Sequence, residues 1–330
     1  MAQFKVVITD FSSPENDLEA AELHGSGLDI ELVRLNAKTP ADLFPQAADA
    51  DALLVQWVNI NRDVVQQLSK CRVISRYGIG VDMVDLKAAG EHGIRVCNVP
   101  DFCIEEVSTH TLGFLLMLNR RLLIQHQHVM HGNWGNSPGG APERLSTQTL
   151  GIVGMGNIGR AVAKKAASMG LKLVTYDPFL SAEHANNLGV EQTSLEDLLR
   201  RSDYVTLHCP LTPETFHLIG AAQLAMMKPT AYLINMARGP VVDQTALYTA
   251  LHQHSIAGAA LDVLEKEPPA ADEPLLTLDN VLITPHTSSG SAQSIIQLRK
   301  DTARNVVAAL QGQEPRSVVN RADLRITQSH

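Results

Sequence analysis

Long apolar runs, clustered cations and paired cysteines are all missing from this chain of 330 residues. The apolar stretch from Gly113 to Leu118 is stopped by Asn119-Arg120-Arg121, far short of the roughly 20 residues that span a bilayer. The opening MAQFKVVITD has neither the basic start nor the long apolar segment of a secretory signal. Secretion and membrane insertion are therefore not expected. Lys and Arg number 27 against 35 Asp and Glu, a formal charge of −8, and no basic cluster is present to neutralise a phosphate backbone, so nucleic acid is not an expected partner. Cys71, Cys97, Cys103 and Cys209 show no CxxC spacing and read as reduced, buried thiols of a cytoplasmic protein. His126, His128 and His131 leave only the last two on a shared helical face, too few ligands for a metal, and none is expected. Short-period repeats and low-complexity tracts are absent too.

What is present is ample apolar material, 45% of the residues, in a chain long enough for two cores. Strand-like runs (KVVIT, IELVRL, ALLVQ, RVIS, IRVCN) alternate with helical stretches over the first hundred residues, and a second series begins at Leu150 with LGIVG and continues through KLVTY, YVTLH, AYLIN, GAALD and VLIT. Such alternation predicts two α/β domains, each a doubly wound parallel sheet. Between the series, Ile104, Val107, Thr111, Phe114 or Leu115, Leu118 and Leu122 recur at helical spacing, with Glu105 and Glu106 in the first turn. This predicts one long connecting helix. The Gly- and Pro-rich HGNWGNSPGGAPERLS follows as an irregular arm. A last helical stretch from about Ser291 to Leu310 leads toward PRSVVN, which places the second domain (102–290) as an insertion in the first (1–101 and 291–330).

The second series opens on a nucleotide signature. LGIVGMGNIGRAVAKKA is an apolar strand ending in Gly154, Gly156 and Gly159 and running into an amphipathic helix, and Asp177 closes the next strand, KLVTYD. Gly154 permits the tight turn, Gly156 lets backbone approach a pyrophosphate, Gly159 lets helix and strand pack closely, and the helix N-terminus offers N–H groups to phosphate. Asp177 would accept from both ribose hydroxyls and repel a 2′-phosphate, and Pro178, Phe179 and Leu180 supply no cation to offset it. The expected cofactor is NAD.

Ligands of open α/β sheets bind beyond the carboxyl ends of the strands. There Arg238 follows AYLINMA, Glu267 follows GAALDVLEK and His286 follows VLITP. Singly they read as a loop arginine, a solvated turn acid and a core histidine. Together they put a bidentate carboxylate binder, an acid/base imidazole and a carboxylate that would favour imidazolium beside the cofactor loop. That set suits a dehydrogenase of 2-hydroxy or 2-oxo acids.

The ordered motifs GMGNIG, HCPLT, NMARGPVVD, LDVLEKEP and ITPH resemble the D-isomer-specific 2-hydroxyacid dehydrogenase family over about residues 50 to 320. That family includes phosphoglycerate dehydrogenases, hydroxypyruvate and glyoxylate reductases, formate dehydrogenases and the C-terminal-binding-protein corepressors. The resemblance implies that Arg238 holds the substrate carboxylate and carbonyl, that His286 is the acid/base and that Glu267 is its partner. It implies cofactor contacts at Asn157 and Ile158 of the glycine loop, at His208, Pro210 and Thr215 around HCPLT, and at Ala237 and Asp262, the aspartate lying near the nicotinamide amide. RYGIGVD resembles the substrate loop, so N–H groups of Ile79 and Gly80 would contact the carboxylate, while Arg76 falls where the corepressor branch has a substrate arginine. The long helix resembles a dimer-forming element and implies a homodimer.

Departures narrow the substrate. Gln56, Trp57 and Val58 stand where phosphoglycerate enzymes have an arginine-containing stretch, leaving Gln56 and Trp57 to line a pocket for an unphosphorylated acid. Thr287, Ser288 and Ser289 replace the aromatic that follows the corepressor histidine, and Ser108 and Thr109 replace the usual alanine and glutamate. The expected activity is NAD-dependent interconversion of a small 2-oxo acid and its D-2-hydroxy acid, with a hydroxypyruvate, glyoxylate or sugar-acid-derived substrate. The alternatives are a phosphoglycerate dehydrogenase without a regulatory domain and an NAD-sensing, corepressor-like binding protein.

Overall fold

The computed structural model describes residues 3–10, 17–135 and 140–324. The chain divides into two compact units, Met1–Phe102 with Ser291–His330, and Cys103–Gly290.

The first unit is built on five parallel strands, β1 (Phe4–Ile8), β2 (Ile30–Arg34), β3 (Ala52–Val55), β4 (Val73–Arg76) and β5 (Arg95–Cys97), in the order β2-β1-β3-β4-β5. This is the flavodoxin-like order. Central β3 and β4 are buried along their whole length, as strands covered on both faces must be. Val7, Leu53, Val55, Ile74 and Val96 meet in one core. Helix Ala292–Leu310, capped by the Ser291 hydroxyl on Ser294 N–H, packs against β4 and against helix Leu18–His24. Between these helices Arg299 Nε donates to Glu19 Oε1 at 2.8 Å, with both side chains buried. The chain then returns to the sheet: Val318 bridges Cys97, and Asn320 accepts from Val96 N–H at 2.9 Å.

The second unit carries seven parallel strands, β6 (Thr149–Val153), β7 (Lys172–Tyr176), β8 (Glu191–Gln192), β9 (Tyr204–Leu207), β10 (Tyr232–Asn235), β11 (Gly258–Leu261) and β12 (Val281–Ile283), in the order β12-β11-β10-β9-β6-β7-β8. The winding direction reverses between β6 and β9, and such a switch point opens a crevice at the carboxyl ends of the strands. Six of these strands follow the apolar runs of the sequence. β8 has only two residues, both polar, too little for a pattern to show.

The connecting helix differs from the sequence expectation. It spans Ile104–Arg120 and stops there, because Arg121 takes a left-handed conformation (φ 53°) and a second helix, Leu122–Met130, begins at once. The first helix packs on helix Asn157–Ser168, where Lys165 Nζ donates to Ser108 Oγ and to Thr109 Oγ1, each at 2.8 Å. The two unusual hydroxyls thus serve this packing. Among the described residues, the arm after it ends in a short turn, Leu145–Thr147, and its residues 136–139 lie outside the described residues. Among the described residues no helix is long and apolar enough to cross a membrane.

Candidate active site

The glycine loop joins β6 to helix Asn157–Ser168, and its glycines do different work. Gly154 has φ 93°, and a Cβ there would stand 2.8 Å from Cys209 N, so both conformation and the β9 loop require glycine. At Gly159 a Cβ would come within 2.1 Å of Gly154 O. At Gly156, the helix N-cap, a Cβ would meet nothing within 4 Å. That is open space in front of a helix N-terminus led by Asn157 and Ile158, whose first N–H groups have no partner within the helix. The Asp177 carboxylate ends β7 and is oriented by two N–H groups, Met155 at 2.8 Å and Phe179 at 2.9 Å. Loop, helix end and acid fit a dinucleotide with free ribose hydroxyls.

His208 and its neighbours end β9 on the same edge. Burial pushes the His208 imidazole down to about 3, so the ring is neutral. Nε2 meets Thr206 Oγ1 at 3.0 Å, while Nδ1 is buried with no protein partner among the described residues. A polar atom in that position suits a bound group. Thr215 Oγ1 ties the next turn by donating to Pro210 O at 2.6 Å. Burial also pushes the thiols up, Cys71 and Cys97 to about 12 and Cys209 to about 11, so none of these three supplies a thiolate.

The three strand-end residues come from β10, β11 and β12. After β10, Asn235 Oδ1 accepts from Ala237 N–H at 3.0 Å and its amide donates to Arg238 O at 2.9 Å, which fixes the backbone that carries the arginine. Gly239 follows so closely against the β11 loop that a Cβ would lie 2.0 Å from Leu264 O. In that loop Glu267 Oε1 accepts from Leu264 N–H at 2.9 Å, and Oε2 meets His286 Nδ1 at 2.7 Å. Burial acts to raise the Glu267 carboxyl, but the His286 and Leu264 hydrogen bonds, with the charge of Arg238, hold it below the ordinary range. It is therefore a carboxylate at neutral pH.

His286 itself is left-handed (φ 53°), and its N–H donates to Asp262 O at 2.8 Å. Asp262, 2% exposed, gathers the rest of that turn: its carboxylate accepts from Thr284 Oγ1 at 2.6 Å, Thr287 N–H at 3.0 Å and Ser288 N–H at 3.1 Å. Thr284 Oγ1 in turn meets His110 Nε2 at 3.2 Å. The sequence singled out Asp262 for a cofactor contact; its part in holding the His286 turn was not legible, since it joins residues 22 to 26 positions away. Nearby, His217, Asp243 and Glu265 bring possible ligand atoms within 4.8 Å of one another. Asp243 caps helix Gln244–His252, and Glu265 accepts from His217 Nε2 at 2.8 Å and Gln244 N–H at 3.1 Å. These bonds clasp two loops.

In the first unit, Arg76 ends β4 and is 5% exposed, with its guanidinium carbon 5.5 Å from the centroid of the Trp57 ring. Trp57 itself is 53% exposed. Gln56 is half-buried beside it, and Ile79 O accepts from the Asn98 amide at 2.7 Å, which steadies the loop through Gly80. The sequence missed Asp10, whose carboxylate accepts from the N–H groups of Gln56, Trp57 and Val58. An acid ending the apolar run KVVIT was the available signal.

Known proteins share this sequence and fold. Residues 112–288 match the family described as D-isomer specific 2-hydroxyacid dehydrogenase, NAD binding domain. The chain is 37% identical over 320 residues to a glyoxylate reductase of Korarchaeum cryptofilum, covering 95% of each. It is 39% identical over 288 residues to a D-3-phosphoglycerate dehydrogenase of Methanocaldococcus jannaschii, spanning 87% of this chain but only 55% of that longer relative. Among solved structures it is similar to the TT0316 protein from Thermus thermophilus (TM-score 0.84, 36% identity, covering 96% of this chain and 99% of that one). It is also similar to the D-lactate dehydrogenase from Aquifex aeolicus complexed with NAD and lactic acid (TM-score 0.82, 30% identity, covering 93% and 96%).

Proposed function

Because this chain belongs to the D-isomer-specific 2-hydroxyacid dehydrogenase family, NAD-dependent oxidoreductases of 2-oxo and D-2-hydroxy acids, we propose that it reduces a small 2-oxo acid to the D-2-hydroxy acid. Glyoxylate, hydroxypyruvate and 2-oxo acids derived from sugar acids are the candidate substrates. The observation that carries this reading is the 2.7 Å bond between Glu267 and His286, set on the same strand-end edge as Arg238 and the glycine loop.

Held at the glycine loop and Asp177, NADH would supply the hydride. Arg238 binds the substrate carboxylate through its guanidinium fork and polarises the adjacent carbonyl. His286 donates a proton to the carbonyl oxygen as the C2 carbon accepts the hydride, and Glu267 balances the imidazolium before transfer. In the reverse direction the same imidazole takes the hydroxyl proton. Asp262 acts through the turn it holds. The discontinuous unit is assigned to the substrate, with Arg76, the N–H groups of Ile79 and Gly80, and the Gln56–Trp57 strip as its binding residues.

The adenosine end gives a first prediction. NADH is expected to be preferred over NADPH, since the Asp177 carboxylate would repel a 2′-phosphate, and Asp177→Ala should erode the preference by weakening NADH and admitting NADPH. The ratio of kcat/KM for the two cofactors checks this; equal use of both by the unmutated protein contradicts it.

A homodimer is proposed on the exposure of Leu122, Leu123, Ile124, Val129 and Met130, in a helix with no buried residue. An apolar face of that kind is costly unless a second copy covers it. Four free cysteines support placing the protein in the reducing cytoplasm. The proposed activity is tested by NADH consumption with a panel of 2-oxo acids and resolution of the product enantiomers. A D-2-hydroxy acid is expected from every 2-oxo acid longer than glyoxylate, whose product is achiral, and no turnover or an L product contradicts the proposal.

A further inference from the structure

The turn that carries His286 is tied to the connecting helix through one hydroxyl. Thr284 Oγ1 lies 2.6 Å from Asp262 Oδ1 and 3.2 Å from His110 Nε2. A hydroxyl has a single hydrogen to give. Asp262 Oδ1 also accepts from Thr287 N–H at 3.0 Å and Oδ2 from Ser288 N–H at 3.1 Å, so the carboxylate is the acceptor throughout and the Thr284 hydrogen goes to it. Toward His110 the same oxygen can only accept, which puts the hydrogen of that bond on His110 Nε2. The relay thus has one direction, from His110 to Thr284 and from Thr284 to Asp262.

Both ends of it are fixed. His110 sits in the second turn of helix Ile104–Arg120, 174 residues from Thr284 in sequence, and its ring meets the Phe114 ring edge-on with centroids 4.6 Å apart. Phe114 lies one helical turn on and is 3% exposed, so the imidazole is packed in place. At the other end His286 is left-handed (φ 53°), a conformation that a residue with a side chain keeps only where its surroundings over-determine it. His286 N–H donates to Asp262 O at 2.8 Å and to Thr284 O at 3.0 Å. The two residues that hold its backbone are therefore the two joined by the hydroxyl that His110 supports, and all of them belong to the unit Cys103–Gly290.

We infer that His110 is a positioning residue for proton transfer: by donating from Nε2 to Thr284 Oγ1 it fixes the bond between Thr284 and Asp262, and through it the left-handed turn that aims the His286 imidazole. This rests on the proposed 2-oxo acid reduction and adds a residue that acts only through that turn.

The test measures the single-turnover rate of reduction and the 2-oxo acid concentration that half-saturates it, with whichever of glyoxylate, pyruvate and hydroxypyruvate the unmutated protein reduces fastest. The variants are His110→Met, His110→Gln, Thr284→Val and the double variant of His110→Met with Thr284→Val. Methionine and glutamine have similar length and both suit a helix, but only glutamine ends in an N–H donor that can reach Thr284 Oγ1. His110→Met is expected to lower the rate about tenfold, less than the roughly hundredfold loss that a reacting group misplaced by about 1 Å can suffer. The half-saturating concentration should not move, since the lost interaction serves the transition state. His110→Gln should recover most of the rate. The double variant should be no slower than Thr284→Val alone, because His110 acts only through the hydroxyl. Should His110→Met not fold, His110→Ala is compared with His110→Gln in its place. A rate unmoved in His110→Met, a His110→Gln rate just as low, a loss that enters through half-saturation alone, or losses that multiply in the double variant would each overturn the inference and leave the proposed reduction standing. Failure of the unmutated protein to reduce any 2-oxo acid would overturn the functional reading and this inference with it.

Discussion

Replacing His286 with alanine is expected to slow 2-oxo acid reduction by about 10²- to 10⁴-fold, the usual weight of a positioned general acid. The proton that must reach the carbonyl oxygen then has to come from water, while hydride transfer develops charge on that oxygen. NADH binding should survive, because the glycine loop and Asp177 rest on β6 and β7 and take no support from the His286 turn. Single-turnover rates give the first quantity and titration of NADH fluorescence the second. A loss of NADH affinity as large as the loss of rate would assign His286 to cofactor binding instead.

The second large effect concerns the fold. Arg299 and Glu19 have side chains only 5% and 1% exposed, and they tie the helix that begins after Ser291 to the helix near the N-terminus. Arg299→Met is expected to cost about 3–5 kcal/mol of stability, because Glu19 is left as a buried charge without its partner. Adding Glu19→Leu should restore much of that loss, since two apolar side chains of similar volume can replace a buried pair. Urea unfolding of the two variants checks both. Equal stability of Arg299→Met and the unmutated protein would mean that the pair is solvated, contrary to its burial.

What could be read in the sequence was what is encoded locally. The glycine loop, Asp177 and the residues after β10, β11 and β12 each sit next to an apolar run, so the strand ends alone placed Arg238, Glu267 and His286 on one edge. Features that depend on distant partners were not legible. Asp10 reaches a backbone 46 residues on, and Asp262 organises a turn more than 20 residues away. The break at Arg121 was hidden because Leu118 and Leu122 keep helical spacing across it, although a left-handed residue separates the two helices. Two-residue β8 carries no periodicity to detect.

The central claim is that Glu267 holds His286 in place to donate a proton, and the rate of reduction by Glu267→Gln tests it most directly. The Glu267 carboxylate, held ionised below its ordinary range, meets His286 Nδ1 at 2.7 Å, and this contact orients the ring toward the reacting carbonyl. In Glu267→Gln the charge is lost, and single-turnover reduction should slow while NADH binding is kept. A single-turnover rate equal to that of the unmutated protein would contradict the account.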